Sequence, residues 1–298
     1  MRICVIGAGA LGTFYSAMMA AAGEDVTLVC RERDAGVLLR EGLSVTGALE
    51  AEAMPAISAQ PVPSDLVFVA VKSYDIASAA GGIPARPGTL VVVIHNGLGG
   101  DEAAAGVLGP GHVAAGVSYA GVTFLGPGKV RVAGYTETVL GSTDPGARGR
   151  LGMALAALEK AGLKARVADD IRTAQWEKLF ANVGINAITA ITGLANGELL
   201  EVPELKGLVA AAVIEAAQVA AAAGIPVSVD PVERTYRVIR DTRDNRSSML
   251  QDVSRGKRTE IDALNGKVCE IGRRHGVPTP VNDTLTALVR GIERRGGR

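Results

Sequence analysis

Arg2-Ile3-Cys4-Val5-Ile6-Gly7-Ala8-Gly9-Ala10-Leu11-Gly12 is the stretch whose reading decides the fold. Arg2 to Ile6 is a short β-prone run, three glycines follow at GxGxxG spacing, and Thr13 to Ala22 is helix-forming and mostly small or apolar. In a strand, turn and helix of this kind the first glycine permits the tight turn. The second lets backbone approach a pyrophosphate, the third lets helix pack on strand, and N–H groups at the helix start face the phosphates. The motif alone is a weak signal, but a second β-prone run, Asp25 to Cys30, follows on schedule, so the spacing predicts a dinucleotide-binding unit. Its glycines also interrupt the apolar run that otherwise resembles a signal peptide ending at Ala20-Ala21-Ala22.

The end of the second strand selects the cofactor. An acidic residue there would hydrogen-bond the ribose 2′-hydroxyl of NAD and repel a 2′-phosphate, whereas this chain has Arg31, with Arg33 close by, which suits NADP. The competing reading makes Arg31 a solvated strand-end charge and leaves the ribose to Glu32 or Asp34. Leu66 to Val71 and Leu90 to Ile94 lack alternation, as parallel strands covered on both faces do. Lys72 and Asn96 stand at their carboxyl ends, where open α/β sheets bind ligands. Taken singly, Lys72 reads equally as a strand cap and Asn96-Gly97 as a plain turn. Val117 to Leu140, broken by Gly126-Pro127-Gly128 and Gly134, reads as an antiparallel hairpin added to the sheet edge.

Length and composition bound the rest. A chain of 298 residues is long for one core, and its 31 basic and 31 acidic residues cancel, which gives no electrostatic case for nucleic acid or an anionic membrane. Cys4, Cys30 and Cys269 stand singly, without the spacing of a disulfide framework or a metal site, and suit a reducing cytoplasm. No run reaches the ~20 uninterrupted apolar residues of a membrane span. A helix over 147–161 and a short strand over 163–167 are expected to close an α/β domain spanning 1–168. Beyond it strand signals nearly vanish, and helices over 203–222, 245–253, 260–275 and 280–294 predict an all-helical domain over 169–298. Its Ala-rich stretch over 208–223 suits either the helical core or a subunit interface, which leaves a homodimer open beside a monomer.

The helical half opens with Gln175-Trp176-Glu177-Lys178-Leu179-Phe180-Ala181-Asn182-Val183-Gly184-Ile185-Asn186-Ala187-Ile188-Thr189. At ~100° per residue Lys178, Asn182, Asn186 and Thr189 fall within an arc of roughly 80°, and most of the remaining circumference is apolar. Such a narrow polar stripe faces either a ligand or neighbouring backbone that satisfies its amides. Ser247 and Ser248 sit at an expected helix start, where they either cap the helix or hold an anion. Glu260 reads as a capping or dipole-complementing acid in a first turn on spacing alone.

These motifs together resemble the ketopantoate reductase family. The resemblance rests on Gly7 to Gly12, Lys72, Ile94-His95-Asn96-Gly97, Trp176-Glu177-Lys178-Leu179 with Asn182 and Asn186, Asn196-Gly197-Glu198-Leu199, Ser247 to Asp252 and Thr259-Glu260-Ile261-Asp262. It implies a Rossmann-type domain with a helical partner domain, an active site in the cleft between them, and NADPH/NADP+ as cofactor. The reaction it implies is reduction of 2-dehydropantoate to pantoate, a step of pantothenate biosynthesis. Within it Lys178 is the proton donor and Asn96 helps orient the carbonyl. Ser248 and the amides of Asn182, Asn186 and Asn196 hold the substrate, and Glu260 accepts a hydrogen bond from its primary hydroxyl. Gly7, Ala8, Gly9, Ala10, Leu11 and Gly12, with Arg31, Lys72 and Asn96, serve the cofactor. Two alternatives remain at this point: a reductase of another 2-oxo acid on the same fold, and a non-catalytic NADP-binding sensor, which would need no Lys178.

Overall fold

The computed structural model describes residues 1–227 and 230–296. The chain divides into two compact units, Met1–His95 with Gly99–Ile171, and Asn96–Leu98 with Arg172–Arg298. The expected cut after residue 168 is thus displaced to Ile171, and it omits the excursion of Asn96–Leu98 into the second unit. That tripeptide belongs there because Leu98 N–H donates to the Ala263 carbonyl at 3.1 Å and Leu98 packs on the second unit's apolar core.

In the first unit the chain runs through β1 (Arg2–Ile6), α1 (Ala10–Ala21), β2 (Asp25–Val29), α2 (Glu32–Glu41), β3 (Leu43–Gly47), β4 (Ala51–Ala53), β5 (Ala56–Ser58) and β6 (Leu66–Val69). It continues with α3 (Ile76–Gly81), β7 (Leu90–Ile94), α4 (Gly100–Leu108), β8 (Val113–Gly126), β9 (Lys129–Gly141), α5 (Pro145–Arg148), α6 (Leu151–Lys160) and β10 (Ala165–Val167). Among the described residues the strands form one sheet in the order β4, β3, β9, β8, β7, β6, β1, β2, β5, with β10 alongside β9. The block from β8 to β5 is parallel. β6 and β7 are buried along their whole length, which is why neither alternates in sequence.

The antiparallel extension is larger than its sequence signal. β8 and β9 form the hairpin, and β3, parallel to β9, and β4, antiparallel to β3, continue the sheet beyond it. Tyr15 of α1 fastens to this hairpin, its hydroxyl lying 2.7 Å from Ser118 Oγ and 2.6 Å from Thr138 Oγ1, and burial pushes its phenol well above the ordinary pKa. The helix expected over 147–161 is two helices. Asp144 accepts from the Gly146 and Ala147 amides and starts α5 early, and Gly149 follows its end, so α6 begins only at Leu151.

The second unit contains α7 (Ile171–Thr192, beyond its first residue), α8 (Pro203–Ala222), α9 (Pro231–Asp241), α10 (Ser248–Ser254), α11 (Asn265–His275) and α12 (Pro280–Gly296). Two differences from the periodicity matter for the site. Ser247 caps α10, so that helix starts three residues later than expected. The segment expected as one helix from 260 is a 3-10 turn, Ile261–Ala263, separated from α11 by Leu264 in a non-helical conformation. α7 lies close on α8 and α9 at Gly184, where a methyl group would fall 2.9 Å from a Val213 methyl carbon and 3.1 Å from that of Thr235.

α8 is long and apolar enough to cross a membrane by length and composition. One of its faces, Val209, Ala212, Val213, Ala216, Val219 and Ala220, is nevertheless buried in this unit's core. On the same face Glu215 accepts hydrogen bonds from Val281 N (2.9 Å), Asn282 N (3.0 Å) and Asn282 Nδ2 (2.8 Å), and so caps α12 from a neighbouring helix. Asn282 Oδ1 in turn accepts from Asn265 Nδ2 at 2.9 Å, and the same amide nitrogen donates to the Val183 carbonyl of α7 at 3.2 Å. Removing one member of such a network strands buried donors. Glu215→Ala is therefore expected to lower the unfolding free energy by about 3 kcal/mol, read by urea titration, and a loss below about 1 kcal/mol would contradict this account.

Candidate active site

The glycine turn is built as its spacing requires. Gly7 has φ +108°, and a Cβ there would lie 2.8 Å from the Ala70 carbonyl oxygen. Gly12 faces the turn itself: a Cβ would collide with the Gly7 carbonyl, so α1 reaches the strand end only because the side chain is a hydrogen. Gly9 differs, since a Cβ there would meet nothing within 4 Å, and it precedes α1 without a side-chain cap. An open backbone beside an uncapped helix start is the arrangement that accepts a pyrophosphate. Ala8, Ala10 and Leu11 are partly buried between these glycines, with Ala8 and Leu11 packed on the sheet core.

Arg31 follows β2 and stands at the N-cap of α2, exposed, with a guanidinium nitrogen 3.9 Å from an Asp75 oxygen. Glu32 and Asp34 lie in the first turn of α2, where acids complement the helix dipole. Lys72 lies beyond the end of β6, at the N-cap of the 3-10 turn Ser73–Asp75.

The second unit gathers the other residues around α7. Lys178 is partly buried, and its Nζ donates to Asn96 Oδ1 at 2.9 Å. Burial brings the pKa of this amine from 10.5 down to about 8, against the opposing pull of the Glu260 carboxylate, which favours the charged form. Glu260 is 6 % exposed and immediately precedes the 3-10 turn without making a side-chain cap, so a capping role does not account for it. Its own carbonyl accepts from the Ala263 and Leu264 amides, and Ala263 contacts the Asn96 turn: a Cβ on Gly97 would collide with the Ala263 carbonyl.

Asn182 and Asn186 follow Lys178 on α7, the first partly and the second almost fully buried. Asn196 is tied by its backbone N–H to the Asn245 carbonyl at 3.0 Å and by Nδ2 to Thr242 Oγ1 at 3.0 Å. Asn182 Nδ2 and Asn196 Oδ1 are buried and have no hydrogen-bond partner among the described residues. Buried amides of this kind require partners, and a polar ligand is a suitable one. The two serines separate in role. Ser247 is buried, accepts from Leu250 N at 3.1 Å and lies 2.7 Å from Thr189 Oγ1, whereas Ser248 opens α10 with its side chain exposed. Thr189, expected in the polar stripe, therefore anchors α10 to α7.

Residues 3–145 match the family model described as ketopantoate reductase PanE/ApbA, and residues 170–293 match that of its C-terminal part. The chain belongs to the ketopantoate reductase family. It is 36% identical over 292 residues to a 2-dehydropantoate 2-reductase of Archaeoglobus fulgidus, covering 98% of each chain. Its fold matches that of a PanE/ApbA family ketopantoate reductase from Ralstonia eutropha with a TM-score of 0.91, at 32% identity and over 100% of both chains. It also matches D-mandelate dehydrogenase, solved with NADH and anilino(oxo)acetate, with a TM-score of 0.93 at 25% identity, over 100% of this chain and 99% of that one.

For a ketopantoate reductase the supports of these side chains matter as much as the side chains. Sequence reading includes Thr259 in a motif but gives no role to it, to Ala263 or to Asn265, because an alanine beside a turn, a threonine in a loop and one more helical asparagine carry no pattern of their own. Only the Gly97 in His95-Asn96-Gly97 signals a close approach, without naming its partner.

The depressed Lys178 pKa has a measurable consequence for stability. The folded state binds this proton less tightly than the unfolded chain, so the penalty is complete below about pH 8 and is relieved as pH rises from there to 10.5. Lys178→Met is therefore expected to be more stable than wild type at neutral pH, with the difference shrinking as the pH approaches 10. Thermal melts of both proteins across that range measure this, and a variant less stable at neutral pH would refute it.

Proposed function

We propose that this chain reduces 2-dehydropantoate to pantoate with NADPH, and that Lys178 supplies the proton. The observation that carries the reading is the partly buried Lys178 amine, hydrogen-bonded to Asn96, drawn to a pKa of about 8 and under the influence of Glu260. The naming of relatives across the whole chain as 2-dehydropantoate 2-reductases supports the choice of substrate.

NADPH, when bound, supplies the hydride that the keto carbon accepts. The open backbone at Gly9 and the uncapped start of α1 suit its pyrophosphate, Arg31 suits its 2′-phosphate, and Lys72 suits the rim of its site. Addition of hydride leaves negative charge on the former carbonyl oxygen, and Lys178 gives that oxygen a proton. An amine with a pKa of about 8 remains mainly protonated at neutral pH yet releases its proton more readily than an ordinary lysine. The bond to Asn96 Oδ1 restrains the direction in which Nζ points, and Asn96 also orients the carbonyl.

Asn182, Asn186, Asn196 and Ser248 hold the substrate carboxylate and oxygens, and the partnerless donor Asn182 Nδ2 supports that role. Glu260 accepts the hydrogen bond of the primary hydroxyl. A buried acceptor that loses its donor is penalised, so Glu260 discriminates against keto acids without that hydroxyl. The buried, unpaired Cys4, Cys30 and Cys269 accord with a cytoplasmic setting. The likeness to D-mandelate dehydrogenase supports a second reading, reduction of another 2-oxo acid on this fold. Glu260 and Arg31 favour a hydroxylated substrate and NADPH.

Lys178→Ala is expected to lower kcat by about 10²–10⁴-fold with the Kd for NADPH within about twofold of wild type, and near-normal kcat would sink the assignment. In wild type, kcat for reduction falls above about pH 8 as Lys178 loses its proton, and Glu260→Gln moves that fall to lower pH because a charge favouring the ammonium is removed. A pH–rate series on both proteins reads the shift, and a displacement in the opposite direction rules out the coupling. For the cofactor, Arg31→Ala should weaken NADPH binding about tenfold and leave NADH nearly unchanged. Fluorescence titration with each nucleotide decides this, and equal losses would return Arg31 to a solvated surface charge.

A further inference from the structure

Glu260 stands in a loop, and a loop residue meets a substrate group with precision only if its neighbours are held. α10 ends at Ser254, and the next regular element is the 3-10 turn Ile261–Ala263, so the approach to Glu260 lacks a helical hydrogen-bond ladder. The restraint comes from α12 instead. Glu293 Oε1 accepts from Thr259 N at 2.7 Å and from Thr259 Oγ1 at 2.6 Å. The Thr259 hydroxyl in turn accepts from Ile261 N at 3.2 Å, bridging across Glu260. One carboxylate oxygen thus fixes the residue before Glu260 twice and, through the hydroxyl it orients, the residue after it.

The site of this grip is buried: Thr259 is 2% exposed. Charge-assisted hydrogen bonds of this length are roughly twice as strong as neutral ones. The neighbouring ion pair across the same two elements, Arg290 with Asp262, is about half exposed on both sides and contributes little. Glu293 is 33 residues beyond Glu260 in sequence, on the last helix, and the activity proposed above gives it no part.

We infer that Glu293 is a positioning residue for substrate specificity, setting the place of the Glu260 carboxylate through Thr259. The inference rests on the reading of Glu260 as the acceptor of the substrate's primary hydroxyl. It acts on the recognition of that hydroxyl and leaves the proton transfer by Lys178 to the machinery already described. An acceptor oxygen is what the arrangement requires, so a glutamine at this position can keep both bonds and an alanine can keep neither.

The test compares kcat/KM for 2-dehydropantoate with that for the analogue whose primary hydroxyl is replaced by hydrogen. Because both substrates share Lys178 and NADPH, a general loss of activity cancels in the ratio. Glu293→Ala is expected to reduce the preference for the hydroxylated substrate about tenfold, and Glu293→Gln to keep it within about twofold of wild type. Thr259→Val, which preserves volume, should reproduce the alanine result if Glu293→Ala does not fold. A preference unchanged in Glu293→Ala or Thr259→Val, or lost equally in Glu293→Gln, overturns the inference.

Amide hydrogen exchange provides a readout without turnover. Exchange at Ile261, Ala263 and Leu264 should accelerate in Glu293→Ala and stay protected in Glu293→Gln, with the α7 amides unaffected in both. A wild type that shows no preference for the hydroxylated substrate overturns the Glu260 assignment. Exchange then judges the grip separately, and unchanged protection at Ile261 in Glu293→Ala overturns it.

Discussion

The hydrogen bond from Lys178 Nζ to Asn96 Oδ1 holds an ammonium in a place withdrawn from the water that would otherwise stabilise it, and the surrounding second unit is arranged around that constraint. Removing an amine from water disfavours its charged form, while the Glu260 carboxylate works in the opposite direction. The outcome is an amine whose pKa is lowered from 10.5 to about 8. Neither effect alone would produce it: burial without the carboxylate would lower the pKa further, and the carboxylate without burial would raise it.

Keeping that balance requires several segments to be fixed against one another. α7 is pressed onto α8 and α9 at Gly184, tied to α10 by Thr189 and Ser247, and bonded through the Val183 carbonyl to Asn265 of α11. Asn96 is brought to Lys178 by a tripeptide whose glycine has no room for a side chain beside Ala263. Buried polar groups in this unit mostly serve geometry. Glu215, Asn265 and Asn282 form a network joining α8, α11 and α12 to α7, and the satisfied members of such a network specify one arrangement of the helices. Buried atoms without a hydrogen-bond partner among the described residues remain on Asn182 and Asn196, and also on Asn265 Oδ1 within the network itself.

In the first unit the constraint is steric. The glycine turn works because two of its three glycines abut backbone so closely that no other residue fits, while Gly9 leaves its backbone open. α1 is in turn secured by a buried phenol between two hydroxyls of the β-hairpin. The position of the glycine turn therefore depends on contacts made more than 100 residues away, with Ser118 and Thr138.

Much of this could be read from local pattern. GxGxxG after a β-prone run specifies a strand, turn and helix because each glycine answers a backbone requirement within a few residues. A continuous apolar run specifies a strand covered on both faces, and the 3.6-residue period brings Lys178, Asn182 and Asn186 to one side of α7. Local pattern failed where a single residue interrupts it. The helix expected from 260 breaks at Leu264, and the one expected from 245 starts only after Ser247, since caps and turns depend on individual hydrogen bonds rather than on period. The sequence by itself therefore determined the elements, the fold class and the faces on which chemistry could occur. Only the tertiary structure decided that Asn96, 82 residues before Lys178, is its hydrogen-bond partner, that Ser247 is structural while Ser248 is exposed, and that Glu293 holds the loop of Glu260. The physical reason is range: period and turn chemistry act over a few residues, whereas the pKa of an amine and the aim of a carboxylate depend on whatever the folded chain packs within a few ångströms of them.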